Sequence, residues 1–176
     1  MVIGNKNLFA VEFELDENQE GAWLFGKFCY WVNGVQVGDY ELGTSLRDVL
    51  FQMKYLVSDC GNRHDEALCK LPPVEAFYRL DAALYESNVA VEFPVVAIPL
   101  SDTPARFEIK IPVDVFDQLK IYLLECEDRA TILYKKLDNN DVMVSEIGIG
   151  IFDNVIKKVQ IDLTALYDAN QEHVEV

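Results

Sequence analysis

Alternation of apolar and polar side chains predicts a β-meander near the start of the chain. Residues 9–15 alternate strictly, which is the period-2 pattern of a half-buried strand. Residues 22–32 are apolar on both faces, which predicts a central strand covered on each side. Asn33-Gly34 follows, and both residues tolerate the positive φ of a type I′ turn. The pattern therefore predicts a hairpin into a third strand over residues 35–42.

Apolar residues at helical spacing predict three helices. The first follows a Thr or Ser cap at 44–45 and ends near Cys60, with one core-facing stripe. Pro73 suits the first turn of a second helix. A third is predicted from Ile151, with a polar tail over 168–176 that frays.

Extended patterns fill much of the remaining sequence. Residues 105–111 alternate as a strand, residues 119–137 form a hairpin, and residues 142–145 form a short strand. Residues 89–100 are extended and apolar. Strands with adjacent hairpins, interleaved with helices, favour an α+β fold over a βαβ repeat. We expect a single domain over residues 1–176: a largely antiparallel sheet (a three-stranded N-terminal meander plus a C-terminal hairpin) packed with about three helices.

The charge is strongly negative, with 30 acidic residues, 15 basic residues and a net charge of −15. Such a field repels nucleic acid and anionic membranes, and attracts basic partners. Solubility alone is an alternative reason for the charge. No apolar run approaches the roughly 20 residues that cross a bilayer. The N-terminus lacks the pattern of a signal peptide, so we expect a cytoplasmic protein.

No pattern in the sequence indicates catalysis. Phosphate-binding loops, nucleophile elbows and zinc-protease motifs are missing. His64 lies in a polar loop and is interpreted as solvated, with contact to a partner as the alternative. His173 lies in the polar tail, which argues against a catalytic role. Carboxylate pairs such as Glu12 and Glu14 arise by chance in so acidic a chain. We predict a protein with no catalytic residue, cofactor or metal; an enzyme of unrecognised type remains an alternative.

The four cysteines are interpreted as separate thiols. Cys29 and Cys126 fall in apolar strands, which is typical of inert core residues. Cys60 and Cys69 flank the loop around His64, but a fourth ligand and the short spacing of a zinc knuckle are missing. A disulfide there is not expected in a reducing compartment.

Aromatic residues are concentrated between positions 23 and 40, beside acidic neighbours, which is the wrong charge for stacking on nucleic acid bases. Core packing is the main interpretation, and one or two of these rings at a protein interface is the alternative. The residues are Trp23, Phe25, Phe28, Tyr30, Trp31 and Tyr40.

The segment from Phe9 to Leu50 resembles the immunity protein 42 family of bacterial polymorphic toxin systems. The resemblance lies in FAVEFELDE, WLFGKFCYWVNG, VGDYELGTSLRDVL and, more weakly, FEIKIPVDVFDQLKIYLLE from Phe107 to Glu125. It implies a small intracellular protein that binds and neutralises a cognate toxin domain encoded beside it. The family's toxins are often nucleases, whose basic clefts suit an acidic inhibitor. A binding or regulatory module unrelated to toxins remains an alternative, and the oligomeric state is open.

Eight residues are predicted toxin contacts because they combine polarity or charge with expected exposure. They lie in the turn after the first strand, in the flank of the hairpin and in the loop around His64. These residues are Asp16, Glu17, Glu20, Asp39, Tyr40, Glu41, Asp65 and Glu66.

Overall fold

The computed structural model describes residues 1–16, 23–85 and 103–174, with side chains described as far as residue 171. The chain divides into two compact units. The first comprises Met1–Cys60, Ile111–Gln118 and Gly150–Val176, and the second comprises Gly61–Lys110 and Leu119–Ile149. The expectation of one domain over residues 1–176 stays a prediction.

Two antiparallel sheets and four α-helices form the described part of the chain, which confirms the predicted α+β class. The helices are α1 Leu46–Ser58, α2 Glu66–Cys69, α3 Pro73–Tyr85 and α4 Ile151–Val174. The strands are β1 Val2–Asn5, β2 Phe9–Leu15, β3 Phe25–Val32, β4 Val35–Val37, β5 Thr44–Ser45, β6 Leu119–Cys126, β7 Arg129–Lys136 and β8 Met143–Gly148. Two short 3-10 helices cover Pro104–Phe107 and Asp114–Phe116.

The sheet of the first unit has the order β1-β2-β3-β4, and β5 also pairs with β3. Val32 pairs directly with Val35, so the connecting loop has two residues. Asn33 and Gly34 have φ angles of 49° and 77°, which confirms the predicted hairpin. Helices α1 and α4 pack together and against this sheet.

Aromatic rings fill the core of the first unit. Phe9 lies 4.9 Å from Phe152 of α4, and Tyr30 lies 4.7 Å from Phe116 of the second 3-10 helix, between ring centroids. Phe28 completes the cluster, and all five rings are fully buried or nearly so. Burying such rings stabilises each by about 1.5–3 kcal/mol. The aromatic core therefore buries one face of β3.

The second unit is built on the sheet β6-β7-β8. Helices α2 and α3 and the first 3-10 helix pack against it around Phe77, Phe107 and Tyr122. The Tyr122 hydroxyl donates to a carboxylate oxygen of Asp81 at 3.0 Å, and Lys120 pairs with the same oxygen.

A disulfide joins Cys69 in α2 to Cys126 at the end of β6. The interpretation of these cysteines as separate thiols is therefore wrong, and Cys126 is only half-buried. The error arose because 57 positions separate the two residues along the chain. Their proximity depends on how α2 packs beside the end of β6, which no local pattern reports.

The strand predicted over residues 105–111 is also wrong. This segment begins as a 3-10 helix at Pro104, and only Glu108 forms an isolated bridge, to Tyr122. Phe107, Ile109 and Ile111 are all buried, so the alternation of apolar residues here reflects side-chain burial and not the pairing of a β-strand. Strand β1 was not predicted.

Helix α4 continues to Val174, so residues 168–174 belong to this helix, and the fraying expected of the tail stays a prediction. The predicted extended segment 89–100 lies outside the described residues. Among the helices described here, none combines the length and hydrophobicity needed to cross a bilayer.

Candidate partner-binding surface

The sheet face that points away from the aromatic core is covered by charged side chains of the first unit. Lys6 donates to the Glu12 carboxylate at 2.6 Å, and the Trp31 indole N–H donates to the same oxygen at 2.7 Å. The Lys6 ammonium also lies 4.0 Å from the centre of the Trp31 ring. Burial raises the pKa of Glu12, but the hydrogen bonds from Lys6 and Trp31 together hold that pKa below its usual range.

A second cluster on this face contains two of the predicted toxin contacts. The Tyr40 hydroxyl donates to Glu14 at 3.2 Å, and Lys27 donates to Glu41 at 2.6 Å. Burial, and then the bond to Glu14, raise the pKa of Tyr40, so the hydroxyl stays protonated. Tyr40 and Glu41 thus already have partners within the sheet, while Asp39 accepts a hydrogen bond from the Leu42 amide at 3.3 Å.

Asp65 does not have the predicted exposure. Only 9% of the residue is exposed, and its carboxylate accepts hydrogen bonds from the Ala67 and Leu68 amides at 2.9 and 3.0 Å. It is therefore the N-cap of α2, a role for which Asp is favoured. The neighbouring Glu66 is exposed and pairs with Lys70 of the same helix.

The remaining predicted contacts lie in the acidic turn after β2. Glu17 and Glu20 are outside the described residues. Asp16 is exposed at the end of β2, where its amide donates to the Phe25 carbonyl at 3.0 Å. Asp16 is the predicted contact that lines a cleft in the first unit.

This cleft, which we term the acidic cleft, encloses about 690 Å³. Asp16, Asp48 and Asp114 line it, and its described lining contains no Lys or Arg. The start of α1 positions Asp48 because Ser45 caps this helix by accepting from the Asp48 amide at 3.2 Å. The second 3-10 helix positions Asp114 in its first turn.

Large apolar side chains border the acidic cleft and remain partly in solvent. Trp23, Phe25 and Leu42 are 48%, 54% and 58% exposed. The prediction that β3 is covered on both faces is therefore wrong at this end of the strand. A sheet that packs on a core with one face needs apolar side chains only on that face. Apolar side chains that stay exposed on the other face are typical of interaction surfaces.

The aromatic border continues onto α1 as a stripe formed by Trp23, Arg47, Phe51 and Tyr167. The Arg47 guanidinium stacks 3.6 Å from the centre of the Trp23 ring and also donates to Asp48 at 3.2 Å. Phe51, one turn further along α1, lies 5.5 Å from Tyr167 of α4. We term these four residues the aromatic stripe.

A second cleft, of about 520 Å³, lies in the second unit beside the disulfide. His64 lines it and donates from Nδ1 to the Glu125 carbonyl at 2.8 Å. Sulfurs bonded to each other are not thiolate nucleophiles, so the intact Cys69–Cys126 bond offers no nucleophile here. Burial raises the pKa of Cys29 to about 12, which keeps that thiol protonated at neutral pH.

Comparison with known proteins decides the family. The family model described as Immunity protein 42 matches residues 1–161. The chain belongs to the immunity protein 42 family. The resemblance seen in the sequence is thereby confirmed over both units, and membership makes this chain a toxin-neutralising immunity protein.

The fold recurs in the crystal structure of CdiI from Burkholderia dolosa AUO158. The two have 19% sequence identity and a TM-score of 0.71, and the match covers 92% of this chain and 99% of that chain. At this identity the likeness concerns the fold. No curated protein matches the chain.

Proposed function

We propose that this protein inhibits one cognate toxin domain by stoichiometric occlusion, with no turnover. The family match over residues 1–161 carries the proposal. Protection by occlusion requires tight binding, with Kd about 1 nM or lower, which corresponds to about −12 kcal/mol. Interfaces of this strength bury about 1,600 Å² and contain a few well-packed anchor residues.

The net charge of −15 supports a basic toxin as the partner. A nuclease is one such toxin, because its cleft must bind phosphate with cationic side chains. An acidic inhibitor is drawn to that cleft and competes with nucleic acid there. We place this inhibition in the cytoplasm, where a nuclease meets its substrate.

The proposed contacts include four of the residues predicted from the sequence. Asp16, Asp39 and Glu41 are exposed in the first unit, and Glu66 is exposed in the second. Lys27 offsets part of the charge of Glu41, and Lys70 offsets part of that of Glu66. Asp16 and Asp39, which are exposed carboxylates of the first unit, are expected to contribute to the steering of a basic partner.

Coexpression tests the proposal directly. The C-terminal domain encoded by the neighbouring reading frame is expressed with and without this protein. We expect growth arrest by that domain alone, rescue by coexpression, and co-purification at a ratio of about 1:1, as occlusion requires.

Gly4→Ala is the matched control for folding. A Cβ at Gly4 would lie 2.5 Å from the Phe9 carbonyl oxygen, so this variant disrupts the pairing of β1 and β2 and should lose rescue. A folded wild-type protein that fails to bind or to rescue would overturn the proposed function.

A further inference from the structure

We propose that the acidic cleft and the aromatic stripe together form the docking surface for a basic segment of the toxin. The inference rests on the proposed function and assigns the surface that performs it. The occupant is a polypeptide segment with at least one Lys or Arg side chain that enters the acidic cleft. Negative charge and exposed apolar side chains, which come from separate sets of residues, both favour such an occupant.

The described lining of the acidic cleft is negatively charged. Three carboxylates line it and no described basic side chain does, so its formal charge is −3. Elsewhere in the first unit, Glu12 is paired with Lys6 and Glu41 with Lys27. The acidic cleft thus brings three carboxylates together in a lining with no described Lys or Arg, and this charge is complementary to a cation of the partner.

Arg47, the cation beside the cleft, already interacts with side chains of this protein. The Arg47 guanidinium stacks on Trp23 and pairs with Asp48. It supports the ring of Trp23 from one side, and this fixes the orientation of a large, half-exposed side chain. A preorganised ring loses little conformational entropy on binding, which favours its use as an anchor.

The border of the acidic cleft offers apolar surface to the stem of the entering side chain. Lys and Arg carry three or four methylene groups that pack on apolar surface while the charged head reaches its partner. Phe25 and Leu42 border the cleft and are more than half exposed. Their exposed surface suits the stem, and the carboxylates of Asp16 and Asp114 suit the head.

Composition also separates this surface from an ordinary exposed patch. Trp, Tyr and Arg are the residues enriched at the energetic centres of protein interfaces. The aromatic stripe contains Trp23 of the turn before β3, Arg47 and Phe51 of α1, and Tyr167 of α4, all in one unit. It extends the contact area beyond the cleft, as a high-affinity interface requires.

The test measures Kd for the cognate toxin domain with two charge-matched double variants. Asp16→Lys with Asp114→Lys reverses charge in the cleft, whereas Asp138→Lys with Asp141→Lys reverses it at exposed sites of the second unit. Both raise the net charge from −15 by +4, to −11, so they alter long-range attraction similarly. We expect the cleft variant to weaken binding at least about 100-fold and the control less than about threefold.

A second pair of variants tests the contribution of the exposed apolar side chains at the border of the acidic cleft. Phe25→Ala should weaken binding at least about tenfold, as loss of an anchor does. Leu137→Ala is the control, because Leu137 is 52% exposed in the second unit. Thermal unfolding followed by circular dichroism verifies that each variant is folded.

Hydrogen exchange provides a measurement on the wild-type complex that does not depend on any variant. We expect toxin binding to protect the amides of residues 23–26 and 42–48. Wild-type binding and rescue with unchanged Kd in the cleft variants, or without this protection, would overturn the docking surface and leave the proposed function standing. Absence of binding by wild type would overturn both.

Discussion

Glu12, in the sheet of the first unit, has a carboxylate that accepts two hydrogen bonds. Because Lys6 and Trp31 both donate to it, its pKa in the folded state lies below the usual range. A carboxyl with a lowered pKa stabilises the fold above its unfolded pKa of about 4.3, and this stabilisation is lost as pH falls through the folded pKa.

We therefore expect Glu12→Gln to lower the free energy of unfolding more at neutral pH than in acid. Urea unfolding at about pH 7, 5 and 3 measures this difference, which should shrink as pH falls through the carboxyl range. Asp138→Asn, at an exposed position, is the control and should show little pH-dependent difference. An effect of Glu12→Gln that is equal at all three values would contradict the pKa assignment.

Single residues also show where sequence patterns stop being informative. Asp65 and Glu66 are adjacent acidic residues in one loop, yet one is a buried helix cap and the other is exposed. Charge alone predicts exposure for both. What decides between them is which carboxylate the amides of α2 point toward, and this depends on where the short helix begins.

At the scale of elements, α1 depends on its cap. The Ser45 hydroxyl accepts from the Asp48 amide at 3.2 Å and donates to the Trp23 carbonyl at 3.0 Å. We expect Ser45→Ala to lower the free energy of unfolding by about 1 kcal/mol, the usual effect of losing an N-cap.

Ser45→Asp is the matched control. It keeps an oxygen that can accept from the Asp48 amide and places negative charge at a helix N-terminus, where the dipole favours it. Chemical denaturation should therefore show a smaller loss than for Ser45→Ala. Equal losses would show that the cap contributes little.

Long periodic elements could be predicted from the sequence, and short ones could not. Strands β2 and β3, the Asn33-Gly34 turn, helix α1 and the hairpin of β6 and β7 carry their signal within their own residues. Strand β1, strand β5 and helix α2 have two to four residues, too few to show a period. Their structure comes from pairing and capping by distant neighbours.

At the scale of the whole molecule, the charge predicts how binding responds to salt. The Debye length is about 10 Å at 0.1 M and about 3 Å at 1 M ionic strength. We expect the association rate with the toxin to fall at least about tenfold between 0.02 and 0.5 M salt, with a smaller change in the dissociation rate. Stopped-flow mixing measures both rates.

Asp39→Lys with Glu41→Lys should slow association severalfold at low salt, because both carboxylates are exposed in the first unit. The same change at Asp138 and Asp141 is the charge-matched comparison. An association rate that the Asp39 and Glu41 variant leaves unchanged would exclude the hairpin flank from the encounter.

The negative charge of the proposed docking surface could be predicted from composition, but the location of that surface could not. Asp16, Asp48 and Asp114 line one cleft although they come from three separate stretches of the chain. Asp16 was predicted because it follows a recognisable strand. Asp48 lies in a predicted helix and Asp114 at the start of a 3-10 helix, and neither position shows a pattern that distinguishes it from the other acidic residues.

The bond between Cys69 and Cys126 closes a covalent ring that contains every residue from 70 to 125. A protease that cuts once inside this ring therefore opens it without releasing a fragment. The nicked protein would migrate as one band on a gel without reductant and as two bands after dithiothreitol. A cut outside the ring would give two bands in both lanes.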